Sequence, residues 1–339
     1  MINTQLQKAT QFKRKDKRTL DDITQPVSGN LSEFRSFYKQ ALSTDVFVLD
    51  KIVQYLLRQK GKEIRPTLVF MSAQLFGDIT ERSYVAATMI ELLHTATLIH
   101  DDVVDEAEVR RGFLSINKVW KNKAGVLLGD FLLSKGLLTA LDYDEFKLLK
   151  VLSKAVKQMS EGELRQFKAA RLFNMDEEYY FKVISEKTAS LIAACCECGA
   201  ISTTDDEELH QKMHDIGMNT GIAFQIRDDL FDYGVDDIGK PKRNDIQERK
   251  VTLPFIKALD NASITEKIRA RHLMRKRKKS NKEVEKIVQF VHDKGGMDYA
   301  RSIMHDYANK ALDQLATLPD SQERKSFEAL ITFIIERKK

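Results

Sequence analysis

The run ELLHTATLIHDDVVDEAEVRR, residues 91–111, carries apolar side chains at helical spacing and gathers aspartates towards one end. On a helical wheel Asp101, Asp102 and Asp105 fall at zero, about 100 and about 40 degrees, so the three are expected on one sector of the helix. Leu92, Leu93, Leu98, Ile99, Val103 and Val104 supply the apolar remainder. Carboxylates this close repel by about 4 kcal/mol per pair at 4 Å in a medium of effective dielectric near 20. Cations must meet them, and Arg110 and Arg111 follow at once. Magnesium with a phosphate-bearing ligand is the economical explanation, because magnesium takes a few carboxylates, waters and phosphate oxygens. Taken alone, the row reads equally well as a solvated acidic helix face.

Outward from this stretch the chain reads as helix throughout. It has 339 residues, 42% hydrophobic and 31% charged, with five prolines and fifteen glycines, and no proline between Pro66 and Pro241. Few forced breaks point to an all-α protein. The net charge of +5 is spread along the chain, without the basic stripe or zinc spacing of a nucleic-acid module, so no nucleic-acid partner is expected. Cys195, Cys196 and Cys198 crowd one turn, which suits core thiols in a reducing compartment better than a disulfide framework. No run of eighteen uninterrupted apolar residues occurs, and the expected location is cytoplasmic.

Residues 1–28 read as a polar, flexible arm with a basic cluster from Lys13 to Arg18, whose membrane contact is at most peripheral. Residues 29–339 read as one helical catalytic domain. The spacing predicts helices over about 31–57, 66–76, 124–141, 147–171 and 176–199, with three or four more after Leu253. In GKEIRP, Lys62 and Arg65 stand beside a helix start, where a dipole and free amides favour an anion; a surface turn explains the hexapeptide equally well. The basic run at 275–279 is expected to be solvated.

A second row, Asp228, Asp229 and Asp232 in GIAFQIRDDLFDYG, repeats the spacing of the first on another apolar helix. Two rows suggest facing halves of one metal-lined cavity. A polar loop with Lys240, Lys242, Arg243 and Lys250 follows as a candidate cationic cover.

With both rows in view, the chain resembles the trans-isoprenyl diphosphate synthases from about Gly61 onward. The motifs are GKEIRP, the DDVVD stretch ending in RRG, Gly129-Asp130, EKTASL, FQIRDDLFDYG and GKPKRNDIQERKVTLP. The resemblance implies a bundle of antiparallel helices around a central cavity, a homodimer, and condensation of isopentenyl diphosphate with an allylic diphosphate, repeated to a medium or long all-trans product. It implies Mg2+ held by Asp101, Asp102, Asp105, Asp228 and Asp229, with Asp232 completing the second motif. It makes Arg110, Lys187 and Lys240 contacts to the allylic diphosphate with Gln225 beside them, and Lys62, Arg65, His94 and Arg111 the isopentenyl diphosphate pocket. Thr188 accompanies Lys187. The chain departs from the family in Arg243 and Arg249, where glycine is common, and in Phe113-Leu114 after RRG.

Thr97 and Ala96, four and five residues before Asp101, lie roughly 6 to 7.5 Å below it along the helix axis. In short-product relatives an aromatic residue blocks that level, so these small residues suggest a heptaprenyl to nonaprenyl product with its floor near Leu93 or Met89. Two other readings remain: a metal-dependent phosphohydrolase using His94, His100 and Asp101, and a regulatory helical subunit for a catalytic partner.

Overall fold

Short polar stretches, rather than prolines, divide this chain into helices. A computed structural model describes residues 19–59, 61–110, 112–172, 176–234 and 244–336. In chain order these form α1 (Leu20–Thr24), α2 (Ser28–Ala41), α3 (Phe47–Arg58), α4 (Ile64–Gln74), α5 (Glu81–Val104), α6 (Ile116–Asp142), α7 (Phe146–Leu172), α8 (Glu177–Ile184) and α9 (Ser190–Ile201). There follow α10 (Glu207–Tyr233), α11 (Asn244–Gln247), α12 (Leu253–Asp260), α13 (Ile264–Arg275), α14 (Asn281–Asp293), α15 (Gly296–Leu315) and α16 (Gln322–Glu336). The one sheet among the described residues is a two-residue antiparallel pair, β1 (Val109–Arg110) with β2 (Phe113–Leu114). The fold is all-α, as the sequence implies.

The single helix expected over 31–57 is broken. Within the polar run Ser43-Thr44-Asp45, Thr44 Oγ1 accepts the Val46 N–H at 3.3 Å, which separates α2 from α3. The polar arm expected over 1–28 is also shorter than its composition suggests. Residues 1–18 lie outside the described residues, but Thr19 caps α1, and Ile23 and Val27 are buried in the main core. Five helices, not three or four, follow Leu253. The basic run between α13 and α14 is not uniformly solvated: Lys279 is 7% exposed and its Nζ donates to Lys276 O at 2.9 Å.

At the centre lies α9. Every residue of it except Glu197 is buried, including three free thiols, and burial pushes the Cys196 thiol up to about 12. The small residues Ala189 and Ala193 let α10 come close, with Gly221 and Gly217 as their opposite numbers. A methyl group on Gly221 would lie 2.6 Å from Ala189 Cα, so nothing larger than hydrogen fits there. Helix α5 packs along α6, and α10 along both α9 and α15. The two long helices that carry aspartates, α5 and α10, both pack on α9.

Between α8 and α9 the chain does not run as a regular helix. Ser185–Ala189 forms one π turn, closed by the Ser190 N–H donating to Ser185 O. Helix α7 crosses it so tightly that a methyl group on Gly162 would stand 2.7 Å from Lys187 N. The turn contains Lys187 and Thr188 and turns both inward.

The tight packing of α10 against Ala189, just before α9, makes a stability prediction. Gly221→Leu should overpack that contact and cost about 3 kcal/mol, read as a lower urea midpoint; an unchanged midpoint would show that the helices can separate at no cost.

Candidate active site

Helix α5 ends where the first row begins, and the helix end separates its members. Asp105 is the C-cap residue, its N–H donating to Asp101 O at 2.8 Å. Asp101 is half-buried and Asp105 exposed. Asp102 is engaged instead: it is 4% exposed, and Arg110 on β1 donates to its Oδ1 through Nε at 2.7 Å and through a terminal nitrogen at 2.6 Å. The expectation that all three aspartates share one sector is therefore corrected. The angle of about 60 degrees between Asp102 and Asp105 is enough to send one carboxylate into an internal ion pair. Burial, and then the neighbouring Glu163 carboxylate, push Asp101 and Asp105 above the usual carboxylate range, while Lys187 pulls both down.

The second row divides in the same way. Asp229 is 3% exposed and clamped: Tyr180 Oη donates to its Oδ2 at 2.6 Å and Gln225 Nε2 to its Oδ1 at 2.9 Å. Thr188 Oγ1 donates in turn to Gln225 Oε1 at 2.7 Å, which ties the π turn to the row. Burial, and next the Asp245 carboxylate, push Asp229 up to about 8 in spite of those donors. Asp228 is half-buried. Asp232 accepts the Asp245 N–H at 2.5 Å, and burial raises it to about 6.

Two lysines tie the rows together. Lys187 pairs with Glu163 at 2.5 Å and donates to Gln166 Oε1 at 2.6 Å. Lys250 pairs with Asp245 at 3.2 Å and Glu248 at 2.7 Å, and its charge pulls down Asp105 on the first row and Asp232 on the second. Both rows thus face one space.

Beside it, Lys62 and Arg65 line a cavity of about 480 Å3 with Glu91, Thr220 and Phe224. The turn that presents them is held by Glu63, which has φ +50° and receives two bonds from Arg35, at 3.0 and 2.7 Å. A second cavity of about 570 Å3 contains Asp102 and Arg110 and shares Gly61, Glu63 and Glu91 with the first. His94 is buried at 6% exposure and does not line the first cavity. Arg111, Lys240, Lys242 and Arg243 lie outside the described residues. The loop after Arg111 is anchored in spite of its unusual Phe113-Leu114: Tyr55 Oη donates to Leu114 O at 2.9 Å and its ring meets Phe113 edge-on.

The three residues expected to set product length do not share one face. Thr97 is half-buried and stands one turn below Asp101, its hydroxyl donating to His94 O at 2.8 Å. Ala96 is fully buried in a cluster with Ile52, Leu128 and Leu132, and a methyl group on Gly136 would stand 3.5 Å from Leu93 Cδ2, so both look towards α6 or its neighbours.

Glu163, Gln166, Tyr180 and Asp245 belong to the site and were not singled out from sequence. Glu163 and Gln166, three apart on α7, were legible as one helix face. Tyr180 had no local signal. Among the described residues no three acids, histidines or cysteines are close enough to hold an ion by themselves. The donors are carboxylate oxygens raised by burial and mutual repulsion, which suits a hard divalent cation completed by water and phosphate. The histidines give a transition metal no cage: His100 Nε2 lies 3.3 Å from Val126 O and 3.6 Å from Asp130, which leaves the phosphohydrolase reading without a centre.

An all-α bundle with two aspartate rows and lysines around one space defines an enzyme that acts on diphosphate esters. The chain belongs to the polyprenyl synthetase family, whose model matches residues 46–291, and is a prenyl diphosphate synthase. It is 30% identical over 329 residues to octaprenyl diphosphate synthase of Escherichia coli (strain K12), covering 94% of this chain and 99% of that one. The crystal structure of a decaprenyl diphosphate synthase from Rhodobacter capsulatus superposes with a TM-score of 0.89 at 32% identity, over 95% of this chain and all of that one. A polyprenyl synthase from Caulobacter crescentus CB15, complexed with calcium and isoprenyl diphosphate, gives 0.86 at 29% identity over 95% and 98% of the two chains.

Removing the Tyr180 hydroxyl has a defined sign. That donor holds Asp229 down at about 8 against burial, so in Tyr180→Phe the carboxyl rises further. The acid limb of kcat/KM against pH should move to higher pH, with about a tenfold loss at neutral pH, one charged hydrogen bond's worth. An unmoved limb would mean that ionisation of Asp229 does not limit the enzyme.

Proposed function

We propose that the chain is a long-chain trans-prenyl synthase. It condenses isopentenyl diphosphate with an allylic diphosphate, repeatedly, to a heptaprenyl to nonaprenyl diphosphate with release of diphosphate. The observation that carries this reading is the coupling of the two rows through Lys250, whose charge pulls down Asp105 on the first and Asp232 on the second, with Lys187 beside Asp101 and Asp105; the ligands we assign are Asp101, Asp105 and Asp228. Those three aspartates would hold Mg2+; Asp102 and Asp229 stand behind them, already engaged by Arg110, Tyr180 and Gln225.

Magnesium bound there would offset charge on the diphosphates and on the leaving group. Lys187 and Lys250 stabilise the negative charge that builds as the allylic carbon–oxygen bond breaks. Arg110 keeps Asp102 neutralised at the end of α5. Lys62 and Arg65 hold isopentenyl diphosphate in the adjoining cavity, with Arg111 and His94 assigned near it by resemblance. The double bond then attacks the allylic cation, and the released diphosphate takes the final proton. Apolar walls below the aspartates exclude the water that would quench the cation.

Product length follows the column beneath Asp101, which begins at the small side chain of Thr97. Ala96, beside it in sequence, lies in the apolar cluster with Ile52, Leu128 and Leu132. Incubating the pure protein with isopentenyl diphosphate, an allylic starter and Mg2+ should yield products of heptaprenyl to nonaprenyl length. Thr97→Phe should shorten them; an unchanged distribution would remove the tail from this column.

The assembly is proposed to be a homodimer through α6. This helix exposes Val126, Leu127, Leu137, Leu138 and Leu141, at 43 to 58%, along its length. It is long and apolar enough to cross a membrane by composition, but a second copy covers such a face equally well and leaves the charged surface in water. Buried free thiols suit a cytoplasmic location, with membrane contact at most peripheral. Leu127→Lys combined with Leu138→Lys should yield a monomer by light scattering; a persisting dimer would place the interface elsewhere.

A further inference from the structure

By spacing, Asp232 is the last member of the second metal row. Its surroundings give it different work. Its Oδ2 accepts the Asp245 N–H at 2.5 Å, and the Ile246 N–H also donates to this carboxylate. These amides belong to the first turn of α11, whose N–H groups have no partner within the helix. A side-chain oxygen at that place is a helix cap; here it is supplied from α10, thirteen residues away in sequence.

The other end of α11 is closed as firmly. Arg249 N donates to Ile246 O at 3.3 Å and Lys250 N to Asp245 O at 2.8 Å, with Arg249 at φ +64°. That pair of bonds around a left-handed residue is a helix stop normally built on glycine. Asp245 therefore has Asp232 on one side and Lys250 on the other, joined to Lys250 by the backbone bond and by the 3.2 Å ion pair. Ile246, fully buried, and the Gln247 amide on Lys279 O at 3.3 Å fix the same short helix from beneath.

We propose that Asp232 is a positioning residue and not a metal ligand: it caps α11 and so sets Lys250 against the first aspartate row. The proposal rests on the synthase reading above, because Lys250 is taken to meet the diphosphate. Asparagine caps a helix about as well as aspartate, and alanine does not; a ligand to Mg2+ tolerates neither.

Three variants, Asp232→Asn, Asp232→Ala and Asp228→Asn, separate these roles beside the parent enzyme. The expected pattern is activity within about threefold of the parent for Asp232→Asn, and a loss of tenfold or more in kcat for Asp232→Ala, as a displaced positioning group gives. Both should keep the parent's half-saturating Mg2+ concentration, while Asp228→Asn raises it. Hydrogen exchange without substrate or metal supplies a readout independent of catalysis: the Asp245 and Ile246 amides stay protected in Asp232→Asn and lose protection in Asp232→Ala. A raised Mg2+ requirement in both Asp232 variants, or protected amides in Asp232→Ala, would overturn the proposal. Absence of prenyl transfer by the parent protein would instead sink the synthase reading and leave the exchange result standing.

Discussion

Like charges crowded at low solvent exposure set the terms for the rest of this molecule. Asp101, Asp105, Asp229 and Asp232 are all pushed above their ordinary range, with burial the largest cause each time. A fold that kept such groups without return would be destabilised by several kcal/mol. The chain meets part of the cost internally, through Arg110 on Asp102 and the two donors on Asp229. On the function proposed above, the remainder falls to divalent ions and diphosphate, and stability withheld from the protein alone would reappear as affinity for its substrate.

That division explains why each aspartate row splits. One member in each, Asp102 and Asp229, lies deep and paired, while Asp101 is half-buried, Asp105 exposed and Asp232 taken up by the amides of α11. Lys187 and Lys250 are held by acids, Glu163 in one case and Asp245 with Glu248 in the other. These pairs fix two flexible side chains between the aspartate rows, which, on the function proposed above, is preorganisation in the plain electrostatic sense.

The helical class and the existence of two acidic rows were legible from composition and spacing, because period and repeat are local properties. The splitting of the rows was not. It depends on Arg110 being brought back by a two-residue strand pair and on Tyr180 reaching across forty-nine positions to Asp229, contacts that only the tertiary fold creates. The break after Ala41 was missed because apolar periodicity continues across it while Thr44 bonds the backbone of Val46. Ala96 and Thr97 are neighbours in sequence yet face different surroundings, since one residue turns a helix by about 100 degrees.

The π turn at Ser185–Ala189 has a consequence for how this segment can vary. It accommodates one residue more than a regular helix of the same rise, and that surplus turns Lys187 and Thr188 inward together. A single-residue deletion there would let α8 and α9 fuse into an uninterrupted helix while rotating everything on one side of the scar by about 100 degrees. Substitution changes one side chain here at a time; loss of length shifts them all, because a shorter chain would be locally more regular and globally out of phase.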